Sequence, residues 1–408
     1  MAIIGSAALF APTFINHVQA MLQNDTTSFH TIELNLSNSS LNARLDDETM
    51  EDLRQFPNLE LRLAGLSQES LVNDIPLLVS LTNLTALALL PATEPTITEN
   101  NSPIIDITPL ASLTNLTVLT LSDFFGIRIT DITPLASLTN LTTLELNLGM
   151  DSQLTDITPL ANLTNLMELT LSGNGINVTN ITPLASLTNL TVLIFSGNQI
   201  TDITSLASLT NLTELRFEGG GFQITDITPL ANLTNLTALT WPSSPIADIT
   251  PLANLTNLTE LQLFLGVQAT DITPLANLTN LTELQLTLFN QISDITPLAN
   301  LTNLAELQLW SLGGQIIDIT PLANLTNLTE LRLSGIPITD ITQFANLTNL
   351  TQLDLGGYDN SQITDITPLA NLTNLTELAL WNSQVTDWSP VAHVPTVHGR
   401  PENLAESP

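Results

Sequence analysis

Sixteen residues, DITPLANLTNLTELQL, stand at Asp248 to Leu263 and again, unchanged, at Asp271 to Leu286. The phrase returns with small changes from Asp106, Asp131, Asp156, Asn180, Asp202, Asp226, Asp294, Asp318, Asp340 and Asp365, and a shortened echo, DWSPVA, begins at Asp387. Successive starts are 22 to 25 residues apart. A period this short restricts the chain to stacked copies of one small unit, because such a unit cannot bury its own apolar row and must bury it against its neighbours. One elongated repeat domain is therefore expected, where 408 residues would otherwise suggest two or three globular ones.

Within a unit the apolar residues keep an unusual rhythm. Ile224, Ile227, Leu230, Leu233, Leu236 and Leu239 are three apart, and Trp241 follows after two. An α-helix needs 3.6 on average, so a strict three fits 3₁₀ turns and three-residue coils, while the final step of two fits a strand. Thr228-Pro229 reads as the entry to the helical turn, with Thr as cap and Pro at the first helical position. Each unit is thus a short strand, a loop and a 3₁₀ turn leading to the next strand. Variation in length falls at one place, between the last core residue of a strand and the next Ile: four residues in FSGNQI (195 to 200) and seven in LSDFFGIRI (121 to 129). Trp241 and Trp388 occupy ladder positions and are expected in the core.

Residues 190 to 212, LTVLIFSGNQITDITSLASLTNL, closely resemble the 22-residue unit LxxLxLxxNxIxDIxPLANLTNL of internalin-type bacterial leucine-rich repeat proteins, and the resemblance runs from Leu71 to Val391. It implies a curved horseshoe of the α/β solenoid type, mostly β plus 3₁₀, with a parallel sheet on the concave side, short 3₁₀ turns on the convex side, an N-terminal cap and binding of protein partners through the concave face. Internalins typically add an immunoglobulin-like domain and a wall-attachment segment after the repeats. The 21 residues from Trp388 to Pro408 can hold neither, so the resemblance speaks more for the scaffold than for adhesion.

The ends depart from the phrase. Ile32 to Leu36 (IELNL) and Leu59 to Leu63 (LELRL) have the strand rhythm alone, which divides the chain into a cap or signal remnant at 1–28, degenerate repeats at 29–70, the solenoid at 71–391 and a tail at 392–408. The opening residues end in Val18-Gln19-Ala20, a cleavage-like pattern, but lack the Lys or Arg of a secretory leader; a signal remnant and a capping helix both fit. Leu90 to Pro103 inserts fourteen residues where later units have four to seven, as a surface loop or a partner-contacting one.

Strand residues that alternate with the ladder Leu must point out of the sheet. They form one column with Glu168, Glu214, Glu260, Glu283, Glu306, Glu330 and Glu377, a second with Arg216, Gln262, Gln285, Gln308, Arg332 and Asp354, and a third with Phe264, Trp310 and Trp381. The phrase builds the scaffold and these positions are free to differ, which makes them the expected contacts of a protein partner. Trp310 is the expected anchor, because the core does not require it; the plainer account is a Trp folded over a neighbouring coil.

Charge narrows the partners. A net charge of -32, from 39 acidic residues against seven Arg and no Lys, leaves nothing to neutralise a phosphate backbone or an anionic membrane. Nucleic acid and membrane insertion are not expected; a basic protein is, and solubility explains the same acidity. The four His lie in the terminal regions and there is no Cys, no phosphate loop and no nucleophile elbow, so neither catalysis nor a cofactor is expected. The Asp ladder suits calcium, yet each Asp has its own turn to cap. Rows of Thr such as Thr256 and Thr259 leave a second reading, a structural or adhesive surface protein that contacts glycan or ice. The reading favoured is a monomeric, non-catalytic recognition scaffold, secreted or on the cell surface.

Overall fold

The computed structural model describes residues 2–6, 30–35, 50–51, 53–56, 58–66, 75–91, 104–123, 128–149, 152–196, 199–219, 222–241, 245–289, 291–313, 315–356 and 362–401. The chain forms two compact units, one of residues 1–212 with 217–219 and the other of 213–216 with 220–408.

In the first unit the strands are β1 (Ala2–Ser6), β2 (His30–Asn35), β3 (Leu59–Leu66), β4 (Leu84–Pro91), β5 (Val118–Asp123), β6 (Thr143–Leu148), β7 (Glu168–Ser172) and β8 (Val192–Ser196). Each pairs with the next in parallel. Within the expected cap, Ala2–Ser6 is therefore a strand; residues 7–28 lie outside the described residues, as do 92–103 of the long insertion.

The second unit continues with the start of β9 (Glu214–Glu218), then β10 (Ala238–Trp241), β11 (Glu260–Phe264), β12 (Glu283–Phe289), β13 (Glu306–Leu312), β14 (Glu330–Ser334), β15 (Gln352–Asp354), β16 (Glu377–Ala379) and β17 (Thr396–His398). Here too neighbours pair in parallel, without a register shift. The period thus acts as anticipated: Leu261, Leu284, Leu307, Leu331, Leu353 and Leu378 fall in one row, and all are buried. At roughly 1.5–3 kcal/mol for each buried Leu, the row contributes more than any single polar contact along it. Trp241 and Trp388 are core residues as expected, at 1% and 4% exposure.

The rhythm of three is visible in the hydrogen bonds. In the coil through Thr296–Asn300, a 3₁₀ turn with Pro near its start, the amides of Leu298, Leu301 and Leu304 each donate to the carbonyl three residues back, at 3.0 Å. Each such residue turns inward, which is why an apolar residue recurs every third position. Thr is the first residue of these turns, and its hydroxyl does not cap them, contrary to expectation. The cap is the Asp two residues earlier: Asp294 Oδ1 accepts the Thr296 amide at 2.8 Å. The spacing Asp-Ile-Thr gives the Asp side chain the reach of an Asx turn.

Two more side-chain ladders join successive coils. Asn Nδ2 donates to a Thr carbonyl of the preceding coil, as from Asn257 to Thr234 and from Asn280 to Thr256, both at 2.8 Å. The last Thr of the phrase does the same with its hydroxyl, Thr259 to the Thr237 carbonyl and Thr282 to that of Thr259, both at 3.1 Å. Together the leucine rows, parallel register and 3₁₀ turns make each unit a leucine-rich repeat solenoid.

Candidate functional site

In the second unit, parallel register aligns the residues that the core leaves free. The first column, exposed except at the buried Ala238, runs Glu214, Ala238, Glu260, Glu283, Glu306, Glu330, Gln352, Glu377 and Thr396. The second runs Arg216, Thr240, Gln262, Gln285, Gln308, Arg332, Asp354, the buried Ala379 and His398. A third aligns Phe264, Thr287, Trp310 and Ser334. Trp381 follows two residues after Ala379. The sequence-predicted residues thus share one face, with Ala238 and Gln352 interrupting the acidic column. Glu168 lies on β7 of the first unit.

The cations on this face are already engaged. Arg216 pairs with Glu214 and lies 3.6 Å from Glu260. Arg332 Nε is 2.8 Å from Glu330, whose side chain is only 17% exposed, and Gln308 donates to the same carboxylate at 3.4 Å. Glu283 and Glu306, between these clusters, pair with no cation among the described residues. Partial burial, then repulsion from Glu306 and Glu260, holds the Glu283 carboxyl above its ordinary range. The middle of the face therefore carries two neighbouring carboxylates with no cation beside them among the described residues.

Aromatic residues differ in how much they offer. Trp381 is 52% exposed, but its ring stacks on His398 at 5.6 Å between centroids, and a Cβ at Gly356 would come within 2.5 Å of its Cδ1. It is folded over a neighbouring coil, the plainer role considered for Trp310. His398 Nε2 lies 3.5 Å from Glu377 Oε1, which completes a small cluster. Trp310 is half-buried, with the alternation of β13 turning it outward. Phe264 meets Phe289 edge-on at 5.5 Å. Phe289, Leu312 and His398 escape the sequence reading. The first two follow the last obvious ladder residue, and the third lies in a tail without the period.

Other chemistries find less support in the geometry. The Asp carboxylates each cap their own turn, which holds Asp106, Asp131, Asp156, Asp202, Asp248, Asp294, Asp318, Asp365 and Asp387 below the ordinary aspartate range, through the hydroxyl of the following Thr or Ser first and its amide second. Among the described residues no three His, Asp or Glu are grouped to hold a metal ion. The hydroxyls of the Thr259 row donate to the preceding coil, so they are not a free donor surface. In the first unit, Asn140, Thr142, Asn165, Met167 and Thr191 line a shallow groove, and the Asn140 and Asn165 amides are likewise spent on carbonyls of Thr114 and Thr139. No helix of the described residues is long and apolar enough to cross a membrane.

Comparison with known proteins agrees with the architecture. Residues 188–235, 326–370 and 348–393 match the family profile described as Leucine Rich repeats (2 copies). No curated protein sequence matches the chain. Among solved structures, an internalin (inlF) from Listeria monocytogenes is 31% identical, with 94% of each chain covered and a TM-score of 0.61. A leucine-rich repeat protein from Leptospira interrogans is similar in fold at 19% identity, covering 93% of this chain and 97% of that one with a TM-score of 0.66. So is the functional domain of InlJ from Listeria monocytogenes, at 24% identity, 87% and 70% coverage and a TM-score of 0.58. That domain includes a cysteine ladder, whereas this chain has no cysteine.

Proposed function

The chain belongs to the internalin family of bacterial leucine-rich repeat proteins, and on that premise we propose that it is a non-catalytic scaffold that recognises a protein partner through the open face of its second unit, the side that is concave in a leucine-rich repeat. The contacts are Glu214, Arg216, Glu260, Gln262, Phe264, Glu283, Gln285, Glu306, Gln308, Trp310, Glu330, Arg332 and Trp381. One observation carries this reading: buried rows repeat nearly without change, and the first column stays Glu on β11 to β14, while the third column in register with them runs Phe264, Thr287, Trp310 and Ser334 and so varies in size and aromaticity. A scaffold alone needs no such variation. The unpaired acidic centre favours a basic partner, since a complementary charge relieves the repulsion around Glu283.

The test is a pull-down from candidate extracts at low and high salt, with wild type beside a variant carrying Glu283→Lys, Trp310→Ala and Arg332→Glu. All three side chains are on the open face, so the variant should keep the wild-type circular dichroism and melting temperature. A partner held by wild type, released by salt and lost by the variant supports the reading. A partner retained equally by both removes it.

A further inference from the structure

Two strands of the second unit run past their neighbours. β12 and β13 hold seven residues each, where β11 and β14 hold five. The added register pairs are Leu288 with Ser311 and Phe289 with Leu312. Alternation continues through them, so Leu288 and Ser311 are buried and Phe289 and Leu312 add a fourth position to the open face. That position is apolar on both strands. Leu312 is 46% exposed, Phe289 leans on Phe264, and Trp310 stands one exposed position before Leu312. The fold does not demand bulk here: in the third column the neighbours of Trp310 are Thr287 and Ser334.

At the other end of β12 stands Glu283. Four residues separate it from Thr287 and six from Phe289, so acid and apolar cluster lie roughly 13–20 Å apart at ~3.3 Å per residue. Covering Glu283 with an apolar surface would desolvate a carboxylate that already lacks a cation, which is strongly unfavourable unless the covering group brings one. An apolar cluster beside such an acid selects for an amphipathic occupant. Resting on the protein-binding reading above, we infer that the overrun of β12 and β13 is an anchor site for a protein segment carrying a bulky apolar side chain about four to six extended residues from a Lys or Arg. The apolar group seats among Phe264, Phe289, Trp310 and Leu312, and the cation lies on Glu283. The neutral Gln285 between the two ends leaves the intervening residues of the segment unselected by charge.

The probe is a displayed library of random dodecapeptides panned on the full chain, followed by titration of the most enriched peptide. Enriched sequences should pair an aromatic or large aliphatic residue with Lys or Arg at that spacing. Affinity should fall about tenfold or more in Phe289→Ser/Leu312→Ser and in Glu283→Lys, and change by less than about twofold in Gln352→Ala, on β15 of the same face and outside the proposed contacts. Melting curves check that each variant is folded, and the last variant checks that loss is local. No enrichment, enrichment without the apolar and basic pair, or equal binding by the first two variants overturns the anchor. Should a protein captured by wild type be lost by the Glu283, Trp310 and Arg332 triple variant yet bind Phe289→Ser/Leu312→Ser normally, face recognition stands and the anchor alone fails.

Discussion

Asp294 Oδ1 accepts the Thr296 amide at 2.8 Å, and Asn180 makes the equivalent bond to Thr182 at 2.9 Å without carrying a charge. The turn therefore needs an acceptor at this position, and the negative charge is a separate property. Nine such Asp are held below the ordinary aspartate range. An acid that ionises more readily in the folded chain adds stability that is complete above its unfolded pKa and disappears as pH falls through its folded one. Melting temperature should accordingly drop on acidification from about pH 4 downward, where unfolded Asp begins to protonate. Asp294→Asn should melt near wild type at pH 7 and lose less on acidification, while Asp294→Ala should melt lower at both. Equal acid sensitivity in wild type and Asp294→Asn would assign the loss to other carboxylates. Glu283 acts in the opposite sense: its raised pKa makes its ionised form a cost that protonation relieves.

Leu286 is fully buried between two coils that carry the same residue pattern. Leu286→Ala should cost about 3 kcal/mol in urea unfolding, within the range for a deleted Leu side chain. Gln285→Ala, one residue away on the open face, should stay within about 0.5 kcal/mol. A similar cost for both would contradict the inward and outward alternation of β12.

Gly335 has φ +71°, and a Cβ there would sit 2.1 Å from the Ser311 carbonyl oxygen of the preceding coil. Gly335→Ala combines left-handed strain with a collision against backbone, and should lower stability by at least about 1–3 kcal/mol. Thermal unfolding of Gly335→Ala beside Ser334→Ala, its exposed-face neighbour, separates the effect from ordinary substitution.

Thr259 donates its hydroxyl to the Thr237 carbonyl at 3.1 Å, but the Thr259 amide reaches the same oxygen at 2.8 Å. Thr259→Val therefore orphans no acceptor, and its cost should lie at the low end of a hydrogen bond, about 0.5 kcal/mol. Retention of glycan or ice binding by wild type and its loss in a row of such Val variants would revive the adhesive reading.

Arg216 spans Glu214 and Glu260 with its side chain 36% exposed. Exposure and salt screening keep such a bridge to less than about 1 kcal/mol. Arg216→Ala should leave the urea midpoint almost unchanged while increasing the negative charge of the open face, and a basic partner should then associate faster at low salt.

Much of this architecture is legible in the phrase itself, since rows of Leu284 and its counterparts have to stack and their spacing fixes strand and turn. The positions of Glu283, Gln285 and Trp310 on one face follow from alternation. Three features do not. Choosing between Asp294 and Thr296 as cap depends on reach, because both residue types favour the role. The extension of β12 to Phe289 depends on pairing with Leu312 in the next coil, and the corner sequences TLFNQI and WSLGGQ share no pattern that announces it. The stack of His398 on Trp381 joins a repeat to a tail that has lost the period.

The Asn and Thr ladders all reach toward the preceding coil, which gives the array a chemical direction. Cut at its C-terminal side, it would present carbonyls waiting for donors; cut at its N-terminal side, it would present Asn amides and Thr hydroxyls without acceptors. The two ends therefore need different lids, and the chain treats them so. At the tail, His393 Nε2 donates to the Leu372 carbonyl at 3.0 Å, so a ring nitrogen covers a carbonyl of the last complete phrase, one residue before the Thr that an Asn would reach. Near the start, Asn83 finds its acceptors in the carbonyls of Leu53 and Phe56, which belong to coils that lack the phrase. Exchanging the two end segments would leave donors facing donors and carbonyls facing carbonyls, so an array of this kind can be lengthened from within but not reversed.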